Sequence, residues 1–388
     1  MQIDRVEVRV VAPEVQRFTW CESLPEQFMT NTVVRILTRD GLEGVGGVTN
    51  YTSHDFDRYT AETLRHMLPT LLGADPLDRE GLWQRLWTRV FPLPPQALAA
   101  IDVALWDLAG KHAGQPIYRL LGGTRDRIPA YASTPLFEDV DTYLRFVEEM
   151  LGQGFRAIKF HCWCVPDKDR ELVRAVRAAF PDPDLAFMLD AENSYDEQSA
   201  LEMGQELGEL GFTWLEAPLP DMDLAGYRRL TERVEVPILP AGNWIQDLPS
   251  FTHALGTSCW TRSRTDVTMA GGFTGARRYL AASEAAGMDC EILSWGNTLV
   301  AGANLHLMLG SDLCNYFEQA VPYASYEYGM VDTIRTQSDG HVVAPTAPGL
   351  GYEIDWLAME RATIHRLEVQ RSTECKHQAP LTDARPGA

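Results

Sequence analysis

The sequence is poor in the features that mark membrane, secreted and nucleic-acid-binding proteins. It has no run of 18 apolar residues, and its start, MQIDRVEVRVV, lacks the charged and then apolar layout of a signal peptide. Basic residues are the minority, because 34 lysines and arginines stand against 54 aspartates and glutamates, a formal net charge of −20. Such a charge disfavours nucleic acids and anionic membranes as partners. We therefore expect a cytoplasmic protein with neither kind of partner.

Cysteine is scarce and follows no framework pattern. The seven cysteines are odd in number, and Cys162 and Cys164 flank a single tryptophan, so they form no CxxC pair. This spacing argues against a disulfide framework and against a zinc or redox motif. The other cysteines are Cys21, Cys259, Cys290, Cys314 and Cys375. We expect reduced and mostly buried thiols.

The chain is long enough for one large barrel and a smaller domain. Its 388 residues are 45% hydrophobic, which can supply a sizeable core. Residues 3–47 alternate in polarity around a DG turn, as in an antiparallel meander. Three helical patterns follow: AETLRHMLPTLLG, REGLWQRLWTRV and QALAAIDVALWDLAGKHAG.

From Arg127 to Glu318 the pattern becomes strand, helix, strand, helix. The eight strand candidates are IPAYAS, FRAIKFH, LAFMLD, FTWLE, VPILPA, WTRSRTD, DCEIL and CNYFE. Eight strands alternating with helices predict a closed parallel barrel, whose functional groups gather at the C-terminal strand ends. Residues 324–367 are turn-rich, and we expect them to return to the N-terminal meander, followed by a disordered tail.

Five acidic or amide residues fall where such a barrel would end its strands. They are Asp190, Glu216, Asn243, Asp266 and Glu318. The first three are separated by about one strand, one helix and two loops each, so they could sit at neighbouring strand tips. Hard oxygen ligands converging on one point are what Mg²⁺ requires, and a cluster of like charges would be costly without a cation. The pattern predicts a magnesium site.

The strand GFRAIKFH contributes Lys159 and His161. Residues i and i+2 of a strand face the same way, so both side chains would point into the barrel near its mouth. A cationic lysine and Mg²⁺ nearby favour the neutral imidazole, which can accept a proton. The alternative is a buried histidine bonded to a backbone carbonyl.

Longer stretches of the chain carry a family pattern. They are ALAAIDVALWDLAGKHAGQPIYRLLGG, the carboxylates of LDAEN and WLEAPLP, GGFTGARRYLAASEAAGM and the closing PGLG. Together they resemble the enolase superfamily, in its mandelate racemase and muconate lactonizing enzyme branch, over residues 2–367. The resemblance implies an α/β fold, a modified (β/α)7β TIM barrel under an N-terminal α+β capping domain. It divides the chain into a cap at 1–125, a barrel at 126–322, a segment returning to the cap at 323–370, and a tail at 371–388.

The resemblance also implies the chemistry of the site. Members of the superfamily abstract the proton α to a substrate carboxylate, and Mg²⁺ stabilises the resulting enediolate. Asp190 and Glu216 match the first two metal ligands, and Asn243 stands where the third ligand, usually a glutamate, is found. Some acid-sugar dehydratases of the family use asparagine there.

Two further residues match family positions for acid-base work and substrate binding. His161 stands in the place of the second lysine of the family's Lys-x-Lys pattern, which is the base, and this leaves Lys159 to bind the substrate carboxylate. Glu318 matches an acid that hydrogen-bonds the substrate carboxylate as charge builds up. Its structural alternative is a salt bridge to Lys159.

The opposite side of the site departs from the family pattern. Racemases and many dehydratases pair a histidine on strand seven with an aspartate on strand six. Asp266 matches the aspartate, but Leu293 stands near the place of the histidine. Asp266 could pair with Arg264 instead, or Glu291 could supply the missing proton relay.

Without that histidine, the sequence favours a one-sided reaction. Racemisation requires an acid and a base on opposite faces of the α-carbon, whereas His161 alone can run a syn elimination. We therefore predict a Mg²⁺-dependent acid-sugar dehydratase, a carbon-oxygen lyase that converts an aldonate or aldarate to a 2-keto-3-deoxy acid. Anti elimination with Glu291 or Asp266 as the acid stays open. So do a racemase, epimerase or cycloisomerase of the same superfamily, and a catalytically silent relative that binds a sugar acid.

Substrate specificity is expected from the loops of the cap. These loops contain Trp20, Tyr51, His54 and Arg58, polar and aromatic groups suited to a hydroxyl-rich anionic substrate. By analogy with the family, the protein is expected to be an even-numbered homo-oligomer.

Overall fold

An antiparallel sheet and a closed ring of parallel strands form the two parts of the structure. The computed structural model describes residues 1–27, 29–49, 54–90 and 95–371, without the side chains of residues 54–56 and 89–90. Cys375 and nearly all of the predicted tail therefore lie outside the described residues. No helix within these ranges is long and apolar enough to cross a membrane. The six cysteines among them are free thiols.

The first part is a four-stranded sheet covered by three helices. Its strands are β1 (Ile3–Val11), β2 (Asn31–Thr38), β3 (Glu43–Val48) and β13 (Thr363–Gln370), in the order β13-β1-β2-β3, all antiparallel. The helices are α1 (His54–Met67), α2 (Arg79–Val90) and α3 (Pro95–Ala113). The C-terminal strand β13 pairs with β1, so the chain returns to the N-terminal sheet as the sequence predicted.

Two glycines of β3 allow α3 to approach the sheet closely. A Cβ atom on Gly44 would lie against the carbonyl oxygen of Ala104, and one on Gly46 against that of Ala100, both well inside van der Waals contact. Helix α3 is almost entirely buried, so its backbone has no room to move away. The GVGG sequence therefore serves packing between sheet and helix.

The second part contains all eight of the predicted barrel strands. They are β4 (Arg127–Ser133), β5 (Ala157–His161), β6 (Ala186–Asp190), β7 (Trp214–Glu216), β8 (Ile238–Leu239), β9 (Ser263–Thr265), β10 (Cys290–Ile292) and β11 (Phe317–Ala320). Seven helices connect them: α5 (Val140–Gly152), α6 (Pro166–Ala179), α7 (Glu197–Glu209), α8 (Leu224–Thr231), α9 (Leu248–Gly256), α10 (Phe273–Ala285) and α11 (Thr298–Leu309). This is the (β/α)7β arrangement. Three short elements lie outside it: α4 (Ile117–Leu120), β12 (His341–Val343), which pairs with β4, and α12 (Trp356–Arg361).

The ring closes through individual hydrogen bonds where its ladders are interrupted. Strands β11-β4-β5-β6-β7-β8 form one ladder, and β9 and β10 pair separately. The backbone N–H groups of Thr261 and Arg262 both donate to Ile238 O, at 3.2 Å. On the other side, the Ser294 hydroxyl donates to Glu318 O at 3.0 Å and accepts from Glu318 N at 2.9 Å. The eight strand ends therefore converge on one mouth.

Acidic and amide residues set the starts of several barrel helices. Each accepts a hydrogen bond from a backbone N–H in the first turn, which satisfies a donor that has no partner within the helix. These N-caps are Asp139, Asp196, Asp223, Asp247 and Asn297.

Because β3 packs closely on α3, an added methyl group should destabilise the protein at a glycine of β3 but not at a glycine with open space around it. Gly46→Ala should lower the free energy of unfolding by about 1–3 kcal/mol, because the new Cβ meets backbone that cannot rotate away. Gly152→Ala is the matched control: this glycine is helical and has nothing within 4 Å of the added Cβ, so it should be neutral or stabilising. Urea unfolding of both variants measures the difference, and equal effects would contradict the packing argument.

Candidate active site

A cavity of about 400 Å³ lies at the C-terminal ends of the barrel strands. Six of the sequence-predicted site residues line it together. They are Lys159, His161, Asp190, Glu216, Asn243 and Glu318. The cap segment between β1 and β2 contributes Trp20, Leu24 and Gln27 to the same cavity. The structure thus brings the proposed metal ligands and the proposed base into one site under the cap.

Lys159 is the centre of a buried charge cluster. Its Nζ lies 3.0 Å from Asp190 Oδ2, 2.9 Å from Glu216 Oε1 and 2.9 Å from Glu318 Oε1. These carboxylates come from β6, β7 and β11, so a single ammonium connects three strands. Burial opposes its charge, but the surrounding carboxylates outweigh burial and hold the pKa of Lys159 well above its usual value. The salt bridge to Lys159, which was the structural alternative for Glu318, is therefore present, and Glu318 also lines the cavity.

Arg264, on β9, is a second buried cation beneath the site. One of its terminal nitrogens lies 2.9 Å from Glu216 Oε1 and 3.5 Å from Glu318 Oε2. The guanidinium is fully buried and makes no well-aligned hydrogen bond within the described part of the chain. It acts on the site through its charge. The nearest carboxylates to the guanidinium are the two glutamates; Arg264 acts on Asp266, its suggested partner, through charge, which opposes the effect of burial on the pKa of Asp266.

Burial and neighbouring charges drive the carboxyl groups of the site toward different protonation states. Burial, reinforced by Asp190, raises the pKa of Glu216 to about 8, although Arg264 and Lys159 oppose the shift. Burial also acts on Asp190, but Lys159 and His161 outweigh it and hold the pKa of Asp190 well below its usual value. Two neighbouring carboxyl groups whose pKa values are driven apart repel each other when both are ionised. A bound cation would reduce that repulsion.

Asn243 gives an independent indication of a metal site. It follows β8, and its Oδ1 is buried without a hydrogen-bond partner among the described residues. Its position is fixed by Asp221, whose carboxylate accepts from the backbone N–H groups of Ala241, Asn243 and Trp244 at 2.9, 3.0 and 3.2 Å. An orphaned amide oxygen beside buried carboxylates fits the oxygen ligands of Mg²⁺. Asp221 was missed from the sequence, because no motif marks a carboxylate that orders a loop through its backbone.

His161 has one ring nitrogen committed and one available. Its Nδ1 lies 2.5 Å from Thr134 O, and because a carbonyl oxygen only accepts, Nδ1 carries the hydrogen. In the neutral ring Nε2 then has the lone pair. It lies 3.4 Å from Asp190 Oδ2 and 3.5 Å from Glu192 Oε1, on the cavity side. The backbone-bonded histidine considered as an alternative is thus present, and it orients the ring for proton transfer.

Glu192 is a cavity residue that the sequence did not reveal. Its carboxylate forms a group with His161 and Asp190 whose ligand atoms all lie within 4.8 Å of one another. The residue follows β6 in a left-handed conformation, with φ +47°, which breaks the strand alternation used for prediction. Burial and the nearby Asp190 raise the pKa of Glu192 well above its usual value.

Two proposed acids are not brought to the cavity. Glu291 Oε1 lies 2.7 Å from Arg262 and 2.9 Å from Asn315 Nδ2, residues that precede β9 and β11 at the opposite end of the barrel. Leu293, two positions further along, lines the cavity instead. Asp266 Oδ1 accepts from Met269 N at 2.7 Å and stabilises the turn before α10, where burial raises the pKa of Asp266 to about 6. Glu291 lies away from the cavity, so the suggestion that it relays a proton to the substrate is wrong.

The predicted cap residues divide into three groups. Trp20 lines the cavity and is buried. Arg58 is exposed on α1 and does not line it. Tyr51 and the side chain of His54 lie outside the described residues.

Comparison with known proteins agrees with this geometry. Residues 5–122 match the mandelate racemase / muconate lactonizing enzyme N-terminal domain, and residues 142–358 match the enolase C-terminal domain-like family. The chain belongs to the enolase superfamily. Its place in the mandelate racemase and muconate lactonizing enzyme branch, and its modified TIM barrel with an N-terminal cap, confirm the resemblance and the fold class inferred from the sequence.

Individual relatives span several activities. A crystal structure from Pseudovibrio sp., assigned to mandelate racemase/muconate lactonizing enzyme, is 39% identical with a TM-score of 0.93 and covers 95% of this chain and 99% of that one. A 3,6-anhydro-alpha-L-galactonate cycloisomerase of Streptomyces coelicolor is 28% identical over 85% of this chain and 91% of its own length. An arabinonate dehydratase of Saccharolobus solfataricus is 27% identical over 86% and 90%. Other relatives at similar identity are named o-succinylbenzoate synthase and N-succinylamino acid racemase.

Magnesium is present in solved structures of the superfamily. The D-glucarate dehydratase of Agrobacterium tumefaciens, crystallised with magnesium, is 29% identical with a TM-score of 0.78 and covers 94% of this chain and 100% of that one. The acidic cluster described above is a possible site for the same ion.

The orphaned amide of Asn243 leads to a test by metal binding. Asn243→Ala should weaken Mg²⁺ binding by at least about 10-fold, because the site loses an oxygen ligand. Trp244→Ala is the matched control, since the neighbouring side chain is 68% exposed and offers no oxygen. Isothermal titration calorimetry measures both affinities. Unchanged Mg²⁺ affinity in Asn243→Ala would remove Asn243 from the ligand set.

Proposed function

We propose that the protein is a Mg²⁺-dependent acid-sugar dehydratase that works by syn elimination. The observation that carries the proposal is the contrast between the two sides of the cavity. His161 presents a free Nε2 on one side, whereas Leu293 and Trp295 of the β10 end occupy the other. Strand β10 lies across the ring from β5 and β6, which hold the base and the first proposed ligand.

The proton chemistry then falls to His161. Nε2 removes the proton α to the substrate carboxylate, and the imidazolium formed keeps its Nδ1–H bond to Thr134 O. The neighbouring carboxylates of Asp190 and Glu192, 3.4 and 3.5 Å away, stabilise that positive charge. The same Nε2–H next protonates the departing β-hydroxyl. Water and an enol leave the elimination step, and the enol ketonises to the 2-keto-3-deoxy acid.

The substrate carboxylate is bound and polarised by the charged floor of the cavity, which we define as Lys159, Asp190, Glu216 and Glu318 with Arg264 beneath them. Lys159 faces the cavity as a permanently charged donor, and Glu318 faces it beside Lys159. Asp190, Glu216 and Asn243 are the residues that would hold Mg²⁺. When bound, Mg²⁺ supplies Lewis-acid stabilisation of negative charge that develops on the carboxylate oxygens.

A cycloisomerase is the second candidate. A single base on one side of the substrate also suits a ring opening by β-elimination, and a relative at comparable identity bears a cycloisomerase name. The two candidates differ in the leaving oxygen, which is a free hydroxyl in the dehydratase and a ring ether in the cycloisomerase.

The deciding experiment is a screen of aldonates, aldarates and their anhydro forms with Mg²⁺. Semicarbazide absorbance reports 2-keto-3-deoxy product, and NMR in D₂O reports exchange of the α-proton. Product from an open-chain acid supports the dehydratase, and product from an anhydro acid alone supports the cycloisomerase. Exchange without product points to a racemase or epimerase, and silence in both channels with Mg²⁺ bound points to a binding protein.

His161 gives the sharpest test of the one-base mechanism. His161→Asn should reduce α-proton exchange and dehydration together by about 10²–10⁴-fold, because both need the same nitrogen. His253→Asn, at an exposed histidine on α9, is the matched control and should keep full activity. Mg²⁺ affinity measured on both variants reports the integrity of the site. Dehydration at the wild-type rate in His161→Asn would refute the mechanism.

A further inference from the structure

An aromatic wall faces the charged floor across the cavity. We define it as Trp20, Leu293 and Trp295, which pack in one apolar cluster with Tyr326. The rings of Trp20 and Trp295 meet edge to face at 4.7 Å, and Trp20 meets His161 at 6.1 Å. Trp295 is fixed by a 3.2 Å hydrogen bond from Nε1 to the Tyr326 hydroxyl. A substrate whose reacting carbons lie beside His161 therefore has indole surface within reach.

Cationic groups are few around the cavity. Four carboxylates line the cavity: Asp190, Glu192, Glu216 and Glu318. Lys159 is the one lysine or arginine lining it within the described ranges, and Arg264 supports the floor from below. A substrate carboxylate can bind a divalent cation held by Asp190, Glu216 and Asn243. A second carboxylate would find only Lys159, whose three N–H donors already face Asp190, Glu216 and Glu318.

The remaining polar groups of the lining are neutral amides. Asn193 Oδ1 is buried without a hydrogen-bond partner among the described residues, and Gln27 uses its Nε2 on Pro25 O at 2.6 Å. Amide oxygens accept hydrogen bonds from hydroxyl groups, and amide NH2 groups donate them, but neither supplies the positive charge that would offset a second carboxylate. The wall offers the C–H face of a polyhydroxy chain an apolar surface, and the amides offer partners to its hydroxyls.

We propose that the site selects monocarboxylic sugar acids, whose end distal to the carboxylate is uncharged and packs on the aromatic wall, against the dicarboxylic acids. This inference rests on the proposed function and narrows its substrate class to aldonates. A second carboxylate would lie against indole or beside Glu192. Both positions cost free energy, because a carboxylate is desolvated without a partner in one and meets a like charge in the other.

The first test compares matched substrates. An aldonate and the aldarate of the same carbon number and configuration are assayed with Mg²⁺ and the wild-type protein. The aldonate should have a kcat/KM at least about 100-fold higher. An aldarate turned over as well as its aldonate would overturn the inference while leaving the dehydratase function intact.

A gain-of-function variant tests the physical cause. Leu24 lines the cavity at its rim and is 37% exposed, so a longer side chain can be accommodated. Leu24→Arg should raise the aldarate-to-aldonate ratio of kcat/KM on the order of 10-fold, because a guanidinium can pair with the second carboxylate. Leu24→Gln is the matched neutral control and should leave the ratio at its wild-type value. An equal rise in both variants would attribute selectivity to space and overturn the charge argument.

Equilibrium binding separates this inference from the proposed reaction. Calorimetry of the His161→Asn variant with Mg²⁺ measures aldonate and aldarate affinity without turnover. Preferential aldonate binding, in a protein whose wild type dehydrates neither acid, would sustain the inference and refute the dehydratase function. Equal affinity for both acids, or affinity for neither, would overturn the inference.

Discussion

The contact of one lysine with three carboxylates is the interaction on which the site depends. Lys159 Nζ lies within 3.0 Å of oxygens from β6, β7 and β11. Buried carboxylates at neighbouring strand ends would repel one another, and removing the ammonium would leave uncompensated charge inside the barrel. Lys159 makes the cluster compatible with a folded barrel, and Arg264 adds a second positive charge below it. Glu216 and Glu192 keep raised pKa values in spite of these cations, and a bound divalent ion would favour their ionised forms.

The cap and the barrel supply different parts of the site. Charged groups come from strand ends that the closed ring holds in register, whereas Trp20 comes from a cap segment that must be fixed from outside. The contacts that attach this segment to the barrel include a hydrogen bond from Leu136 N to Thr19 O at 2.9 Å and an ion pair in which Lys168 Nζ lies 3.0 Å from Glu22. The barrel thus places the charged groups together with Leu293 and Trp295, and the cap completes the apolar boundary of the cavity with Trp20.

The positions that could be predicted from the sequence are those that periodicity determines. Eight strands, connected by seven helices, define a ring, and residues at strand ends then meet whatever their separation along the chain. This is why Asp190, Glu216 and Glu318 could be grouped. Reasoning failed where backbone leaves the regular path. Glu192 reaches the cavity because its own backbone is left-handed. Asp221 acts through the backbone N–H groups of three other residues. Glu291 does not reach the cavity, because β10 has only three residues and the position that faces the cavity is Leu293.

The departures from the family pattern compensate one another electrically. Where the family has Lys-x-Lys and a third carboxylate ligand, this chain has His161 and Asn243, so one positive and one negative formal charge are lost together. The formal charge around the cation site is kept, and the imidazole that stands in place of the second lysine is oriented by Thr134 O. In the proposed mechanism Leu293 completes the change, because an apolar side chain at the end of β10 leaves His161 to both take and return the proton. Under that mechanism, substitutions that look like losses when read singly describe one coherent site, with proton transfer at His161 and an apolar wall beside it.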